Sequence, residues 1–297
     1  MTSLPARVVF VTRETEYELL INRHATVEQA RFFLETRGQK LSVLEDRHER
    51  FLETLKLARA AVPDEWRQAL VQRADLDRFL FSAEDIVVPV GQDGLVANVA
   101  KYLDGQFVIG VNPNPDLYDG VLVQHRVESL PKSLAASVAQ DWDCQQRTMV
   151  EGSLDTGERL FALNELFIGH QTHQSARYEI ACDGTRENHS SSGVIAASGT
   201  GATGWARSIM DATHQRIDLR HDERAIAYFV REPFPSVATG TDLRAGKIET
   251  KPLTITSRMN DGGVIFADGI EQDYLPFDWG KTLTVKPSER SLKLVTA

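Results

Sequence analysis

Three short segments of the chain combine glycine, carboxylate, amide and hydroxyl groups in patterns that suit a phosphorylated ligand. They are Gly91-Gln92-Asp93-Gly94, Asn164-Glu165 and Ser198-Gly199-Thr200-Gly201-Ala202-Thr203-Gly204. Glycine lets a ligand approach the backbone closely, and backbone N–H groups and hydroxyls bind phosphate oxygens. A carboxylate beside phosphate is electrostatically unfavourable unless it takes a proton from an attacking hydroxyl or helps to hold a metal ion.

The first segment lies between a predicted strand, Asp85–Val90, and a predicted helix. Ligands of open parallel sheets bind at the carboxyl ends of the strands, where a following helix also presents unpaired N–H groups. Asp93 is therefore the candidate catalytic carboxylate, and Gly91, Gln92 and Gly94 are candidate phosphate-binding residues. The alternative is a plain turn in which Asp93 and Gly94 supply a positive φ. The segment alone leaves both interpretations open.

The other two segments are candidates for contacts to a ribose or purine. Asn164 and Glu165 lie between apolar flanks and offer the donors and acceptors that grip a diol. The alternative is the end of a helix or strand with satisfied polar groups. Residues 198–204 expose N–H groups and hydroxyls but match neither the Walker A motif nor GxGxxG, so an irregular loop is their alternative. His170 and His173 have no third ligand in view, and no metal site is predicted.

Composition limits the class of protein. The 297 residues are 42% hydrophobic and 25% charged, which fits one large or two medium globular domains. The net charge of −9 disfavours a basic surface for duplex nucleic acid. Two cysteines, Cys144 and Cys182, imply neither a disulfide framework nor a zinc site. We expect a cytoplasmic protein without membrane contact, because no apolar run reaches about 18 residues and the N-terminus lacks a signal peptide's apolar core.

The order of predicted elements indicates two domains. The first third alternates strands and helices, and the run from strand through glycine turn and helix to the strand Phe107–Val111 predicts an α/β domain with a Rossmann-like parallel sheet. From about residue 160 helix signals become scarce and short β-branched stretches dominate. We predict an α/β domain over residues 1–128 and a β-rich domain over 129–279, and we allow for a return of residues 280–297 to the first domain.

Taken together and in this order, the segments resemble the NAD kinase superfamily. Its signature reads Gly-Gly-Asp-Gly-Thr, then Asn-Glu, then a Thr-Gly-Ser-Thr-Ala-Tyr-like loop, then a late Asp-Gly. The matching stretches here are Gly91–Leu95, Asn164-Glu165, Thr200–Trp205 and Asp268-Gly269. The chain is most similar to the mitochondrial branch, through Ile109–Asn112, Ala162–Gly169, Ser175–Ile180, Ser191–Gly193, Gly199–Gly201 and Phe229–Pro233.

The resemblance implies the two-domain NAD kinase fold and an activity. That activity is transfer of the γ-phosphoryl group of ATP, with Mg²⁺ or another divalent cation, to the adenosine-ribose 2′-hydroxyl of NAD, giving NADP. Asp93 matches the catalytic aspartate, and Gly91 and Gly94 match the phosphate-side turn. Residues matching the NAD pocket are Asn164, Glu165, Ser192, Thr200, Thr203, Gly204, Trp205 and Ser208. A homodimer or homotetramer that binds small nucleotides, and no nucleic acid, is expected.

The positions that depart from the signature include two in the glycine turn and the loop tyrosine. Gln92 replaces its second glycine, Leu95 replaces its threonine, and Trp205 replaces the loop tyrosine while keeping a flat stacking surface. Gln92 and Leu95 both bear on the phosphate donor. Two other functions therefore stay open: a related kinase for another hydroxyl acceptor (sugar, nucleoside or lipid), and a non-catalytic dinucleotide-binding protein on the same fold.

Overall fold

The computed structural model describes residues 6–139 and 143–297, so the first five residues of the predicted first domain lie outside the described residues. The chain divides into two compact units. Unit 1 holds the described residues up to 99, those from 106 to 144, and 294–297. Unit 2 holds residues 100–105 and 145–293. The predicted boundary at residue 128 falls in a short 3-10 helix, Val127–Ser129.

Unit 1 is built on a parallel sheet with the strand order β2-β1-β3-β4. Its strands are β1 (Arg7–Thr12), β2 (Arg67–Gln72), β3 (Ile86–Pro89) and β4 (Phe107–Val108). Its helices are α1 (Glu16–His24), α2 (Val27–Glu35), α3 (Leu41–Ala60), α4 (Asp93–Ala100) and α5 (Leu130–Ala139). The predicted α/β class is confirmed, and the sheet brings the carboxyl ends of β1 and β3 to one edge.

Local sequence explains where the unit 1 elements begin and end. The apolar run Val8–Val11 is buried on both faces of its strand, as a central parallel strand requires. Thr26 caps α2 by accepting the N–H of Gln29, but the complete reciprocal capping box lies earlier, at Thr15 and Glu18. The apolar spacing of Leu95, Val99 and Leu103 predicts a helix that reaches Leu103, but α4 ends at Ala100.

Unit 2 contains two β-sheets and one α-helix. The strands are β5 (Cys144–Leu154), β6 (Arg159–Ala162), β7 (Glu165–His170), β8 (Ala176–Cys182), β9 (Thr185–Ser191), β10 (Val194–Ser198), β11 (Ile226–Val230), β12 (Ala245–Ile248), β13 (Leu253–Ser257), β14 (Gly263–Ala267), β15 (Tyr274–Pro276) and β16 (Thr282–Val295). The helix is α6 (Trp205–Thr213). The predicted β-rich class is confirmed.

The two sheets of unit 2 enclose one hydrophobic core. One sheet carries the order β16-β13-β8-β9, with β5 pairing to β16 and β6, and the other is antiparallel in the order β12-β11-β10-β7-β14-β15. Strands of both sheets contribute buried side chains to a single cluster, including Ile168, Tyr178 and Ile255. Among the described residues, no helix is long and apolar enough to span a membrane.

Candidate functional site

The turn that carries Asp93 lies at the carboxyl end of β3. The N–H of Val90 donates to the Val11 carbonyl at 2.9 Å, and the N–H of Gly91 donates to the Val111 carbonyl at 3.0 Å. Hydrogen bonds therefore connect the turn on both sides to neighbouring segments of the parallel sheet. Helix α4 then begins at Asp93. This is the edge where open parallel sheets bind ligands.

The Asp93 carboxylate is fixed by three backbone donors from one loop. It accepts the N–H groups of Val121 (2.9 Å), Leu122 (2.8 Å) and Val123 (3.0 Å). The loop itself is packed tightly, because a Cβ atom at Gly110 would lie 2.3 Å from the Leu122 carbonyl oxygen. A carboxylate has about four acceptor positions, so one stays available after these three bonds. Asp93 therefore has a structural role that the sequence did not predict.

The plain-turn interpretation of Gly91–Gly94 is wrong. Neither Asp93 nor Gly94 has a positive φ, and both belong to the first turn of α4. A Cβ atom at Gly94 would meet no atom within 4 Å, and one at Gly91 would meet only the flexible side chain of Leu95, at 3.1 Å for the nearest atom. The chain's own conformation and packing therefore do not require Gly94. The missing side chain leaves open space above the helix terminus.

Arg13 lies beside this turn, at the end of β1. Its guanidinium donates to Gln92 Oε1 at 2.7 Å, and its side chain is half-buried. The preceding residue, Thr12, is 1% exposed, and its hydroxyl has no hydrogen-bond partner in the described part of the chain. Leu95 is fully buried, so the residue that replaces the signature threonine serves the core of unit 1.

In unit 2, Asn164 directly precedes β7 and Glu165 begins it, on a backbone held by Asp268. The Asp268 carboxylate accepts the N–H groups of Leu163 (2.8 Å), Asn164 (2.7 Å) and Glu165 (3.2 Å). Asp268 adopts a left-handed φ of 50°, which is uncommon for a residue with a side chain, and Gly269 follows at 70°. The three bonds offset that strained backbone. The late Asp-Gly thus positions the Asn-Glu pair.

The glycine-threonine loop lies directly against the Asn164-Glu165 segment. The N–H of Ser198 donates to the Asn164 carbonyl at 2.9 Å, and the Ser198 hydroxyl donates to the Leu163 carbonyl. The same hydroxyl accepts the N–H groups of Thr200 and Gly201. The structure therefore brings these two predicted segments together, although they are separated by more than thirty residues in sequence.

The side chains of Asn164 and Glu165 remain unengaged. Neither the Asn164 amide nor the Glu165 carboxylate has a hydrogen bond to any residue that the structure describes, and both side chains are half-buried. Burial, with the Asp268 carboxylate as second cause, raises the pKa of Glu165 to about 7. Burial also raises the pKa of Asp268 to about 6, against the opposing effect of its three N–H donors and of Lys101. An unpaired carboxylate with a raised pKa, as at Glu165, makes this segment a candidate functional site.

Gly201 is the residue on which the contact between the two segments depends. A Cβ atom there would lie 2.1 Å from the Asn164 carbonyl oxygen. We expect Gly201→Ala to destabilise the protein by about 1–3 kcal/mol, because rigid backbone must move to make room. Gly94→Ala is the matched control and should leave stability unchanged or slightly raised, since alanine favours helices. Denaturant unfolding measures both, and equal stability of the two variants would contradict the packing described.

Most of the remaining residues predicted for the NAD pocket lie in this loop or directly after it. Thr200 is buried beside Arg147, and Thr203 is exposed with its hydroxyl donating to the Thr200 carbonyl at 3.0 Å. Gly204 precedes α6 with φ −106° and ψ −119°, and Ser208 is exposed on that helix. Trp205, 37% exposed, lies parallel to the Phe167 ring at 6.2 Å between centroids.

Ser192 is connected to the same region through Arg231. The Arg231 guanidinium lies over the Trp205 ring at 5.2 Å, and the N–H of Ser192 donates to the Arg231 carbonyl at 2.9 Å. Ser192 itself is exposed at the start of the turn before β10. It therefore lies near the Trp205 side chain, while Thr200 lies at the other end of β10.

Comparison with known proteins identifies the fold. No family model matches the sequence, and no curated protein matches it. Two solved structures share the fold at 16% sequence identity and a TM-score of 0.55. One is an NAD kinase from Archaeoglobus fulgidus in complex with ATP, covering 97% of this chain and 92% of its own. The other is yeast NADH kinase complexed with NADH, covering 99% of this chain and 84% of its own.

The chain has the NAD kinase fold. The predicted fold class is confirmed by these two structures. The likeness to the mitochondrial branch rests on the sequence stretches alone and stays a prediction, as do the individual site residues.

On this NAD kinase fold, the sequence patterns did not predict the positively charged side chains near the candidate segments. Arg13 directly follows β1, and the rule that ligands bind at the carboxyl ends of parallel strands could have found it. Arg147 is buried beside Thr200, and Lys101 forms an ion pair with Asp273 at 2.6 Å. Nothing in the local sequence distinguishes Arg147 or Lys101 from surface cations, because their burial depends on tertiary packing.

The described residues of this NAD kinase fold form no metal site from protein side chains alone. Within residues 6–139 and 143–297, no group of three or more His, Cys, Asp or Glu side chains could hold a metal ion. His170 Nδ1 is engaged by Thr172. Mg²⁺ is commonly held by one or two carboxylates together with substrate phosphates. The one acceptor position left on Asp93 has room for such an ion or for a proton, and not for both at once.

Proposed function

We propose that this protein is an ATP-dependent NAD kinase, which transfers the γ-phosphoryl group of ATP to the 2′-hydroxyl of the adenosine ribose of NAD. The observation that carries the proposal is the Asn164-Glu165 pair. Its backbone is locked by Asp268 and by the glycine-threonine loop, while its two side chains have no partner among the described residues. Half-buried polar groups held ready in this way suit a ligand that offers hydroxyls.

The acceptor contacts follow from the chemistry of the pair. An ionised Glu165 accepts hydrogen bonds from ribose hydroxyls, and the Asn164 amide both donates and accepts. Thr203, Trp205 and Ser208 lie in or just after the glycine-threonine loop, which contacts this pair. All three are exposed and offer hydroxyls and an aromatic face. The solved yeast NADH kinase, with which this chain shares its fold, is complexed with NADH. These features support a dinucleotide as the acceptor.

The phosphate donor is assigned to the turn at Gly91–Gly94. In the proposed reaction the bond between the γ-phosphorus and its bridging oxygen breaks, a bond to the ribose 2′-oxygen forms, and ADP leaves. Asp93 takes the hydroxyl proton at its remaining acceptor position. Mg²⁺, when bound with the donor, neutralises charge on the phosphate oxygens. The archaeal structure that shares the fold is in complex with ATP, which supports this donor.

Gly94→Ala tests the turn directly. The added methyl group meets no atom of the chain, so the fold should be unaffected. We expect ATP affinity to fall by about tenfold, because the methyl group occupies the space through which phosphate approaches the backbone. Isothermal titration with ATP measures the change. Unchanged ATP affinity in Gly94→Ala would remove this turn from the donor site.

Binding measurements separate the proposed function from its alternatives. A NAD kinase binds NAD and ATP, a kinase for another hydroxyl acceptor binds ATP without NAD, and a non-catalytic dinucleotide-binding protein binds NAD alone. Each nucleotide is titrated separately into the full-length protein. Binding of both supports the proposal, and absence of either from the folded protein contradicts it.

A further inference from the structure

Arg13 is a half-buried cation that the proposed chemistry does not yet use. Its only side-chain hydrogen bond to the described residues is the one to Gln92 Oε1 at 2.7 Å, and none of their carboxylates forms an ion pair with it. A guanidinium has five N–H donors in a fixed fork, so four are left without an acceptor in that part of the chain. Arg7, at the start of the strand that precedes Arg13, is by contrast paired with Asp85. A half-buried guanidinium with unoccupied donors and no counter-ion is available to bind an anion.

The position of Arg13 is set by the sheet register. Val11 pairs with Pro89, so Thr12 and Arg13 lie level with Val90 and Gly91 at the carboxyl edge of the sheet. The Thr12 hydroxyl, on a residue that is 1% exposed, is a second polar group at this edge that lacks a partner among the residues described. Both residues therefore lie beside the glycine turn, where donor phosphates are proposed to bind.

Gln92 acts as the support for Arg13. It stands where the NAD kinase signature has a glycine, and its carbonyl oxygen accepts one guanidinium N–H without neutralising the charge. A neutral acceptor fixes the orientation of the fork and leaves its positive charge for a ligand. A carboxylate at the same place would cancel that charge. The amide of Gln92 therefore leaves the positive charge of Arg13 available for phosphate, which a carboxylate would not.

We propose that Arg13, oriented by Gln92, binds the terminal phosphates of the nucleoside triphosphate donor. The inference rests on the proposed donor role of the Gly91–Gly94 turn and adds a specificity-determining pair to it. Arginine forks match phosphate oxygens in bidentate geometry, and such contacts are among the stronger hydrogen bonds in proteins. The pair favours ligands with two or more linked phosphates over a monophosphate, because the contact is to the far end of the chain.

The test compares the nucleotide affinities of four variants by isothermal titration. Arg13→Met should weaken binding of ATP and of inorganic tripolyphosphate by about tenfold to a hundredfold. Its affinities for AMP and NAD should stay within about twofold of the wild-type values. Gln92→Glu, which has nearly the same shape, should weaken ATP binding to a similar extent, because the new carboxylate pairs with Arg13 and repels phosphate. The ATP affinity of Arg13→Lys should lie between those of the wild type and Arg13→Met. Arg50→Met, at an exposed site on α3, is the charge-matched control and should match wild type.

The outcomes distinguish this inference from the proposed function. Unchanged ATP affinity in a folded Arg13→Met variant that retains NADP formation would overturn the inference alone. An equal loss for AMP and ATP would also overturn it, since the contact would not be to terminal phosphates. A wild type that binds neither ATP nor tripolyphosphate would overturn both proposals. If Arg13→Met fails to fold, Gln92→Glu decides, and a Gln92→Glu protein with wild-type ATP affinity contradicts the inference.

Discussion

Replacing Asp93 with asparagine is expected to reduce NADP formation by about 10²- to 10⁴-fold while NAD affinity stays within about tenfold. Asparagine has nearly the same shape but cannot take the proton of the attacking hydroxyl, and general-base contributions are of that size. The effect should fall on kcat more than on KM, because the proton moves only in the transition state.

The structure adds a requirement to that experiment. Asp93 also accepts three N–H groups from residues 121–123, and an asparagine amide can keep only part of this set. A loss of turnover must therefore be accompanied by a thermal unfolding measurement. Asp119→Asn removes the same charge from an exposed position in the neighbouring loop and is the matched control. An Asp93→Asn protein with wild-type turnover would exclude Asp93 from the mechanism.

Replacing Glu165 with glutamine is expected to weaken NAD binding by about tenfold to a hundredfold. The loss corresponds to a hydrogen bond between a charged acceptor and a ribose hydroxyl, worth about 1.5–3 kcal/mol. Because the pKa of Glu165 is raised to about 7, wild-type NAD affinity should increase as pH rises through about 7 and the carboxylate ionises. Glu165→Gln should show a weaker pH dependence, and fluorescence or calorimetric titration from about pH 6 to about pH 8.5 measures it.

The same substitution should make the protein more stable at high pH. Folding raises the pKa of Glu165 from its ordinary value of 4.5 to about 7, so the native state binds the extra proton and stability falls as pH rises between those values. Glu165→Gln should therefore be more stable by on the order of 1–2 kcal/mol above about pH 8, and not below about pH 4.5. Glu271→Gln, at an exposed site of unit 2, is the control. A Glu165→Gln variant that binds NAD normally would contradict the acceptor assignment.

Much of the fold could be predicted from periodicity. The order of the strand before Gly91, the glycine turn, the helix and the strand Phe107–Val111 was sufficient to predict a parallel sheet with a ligand-binding edge. The end of α4 at Ala100, before Leu103, was not predicted, since helix ends depend on tertiary context. The pairing order of the twelve strands β5–β16 also depends on long-range contacts that local sequence does not encode.

The candidate site was only partly readable from sequence. The glycine segments and the Asn164-Glu165 pair were found because their residue types are unusual between apolar flanks. The close approach of Gly201 to the Asn164 carbonyl was not predicted, because it depends on the pairing of β7 with β10. Likewise, the locking of Asp93 by residues 121–123 joins groups about thirty positions apart, and the lack of a counter-ion for Arg13 among the described residues is a property of the folded chain.

The decisive measurement is the formation of NADP from NAD, ATP and Mg²⁺ by the purified 297-residue protein. It should be made beside Asp93→Asn and Asp119→Asn under the same conditions. We expect NADP to accumulate with the wild type and with Asp119→Asn, and to be lost with Asp93→Asn. A folded wild type that binds NAD and yields no NADP would contradict the assignment as a NAD kinase.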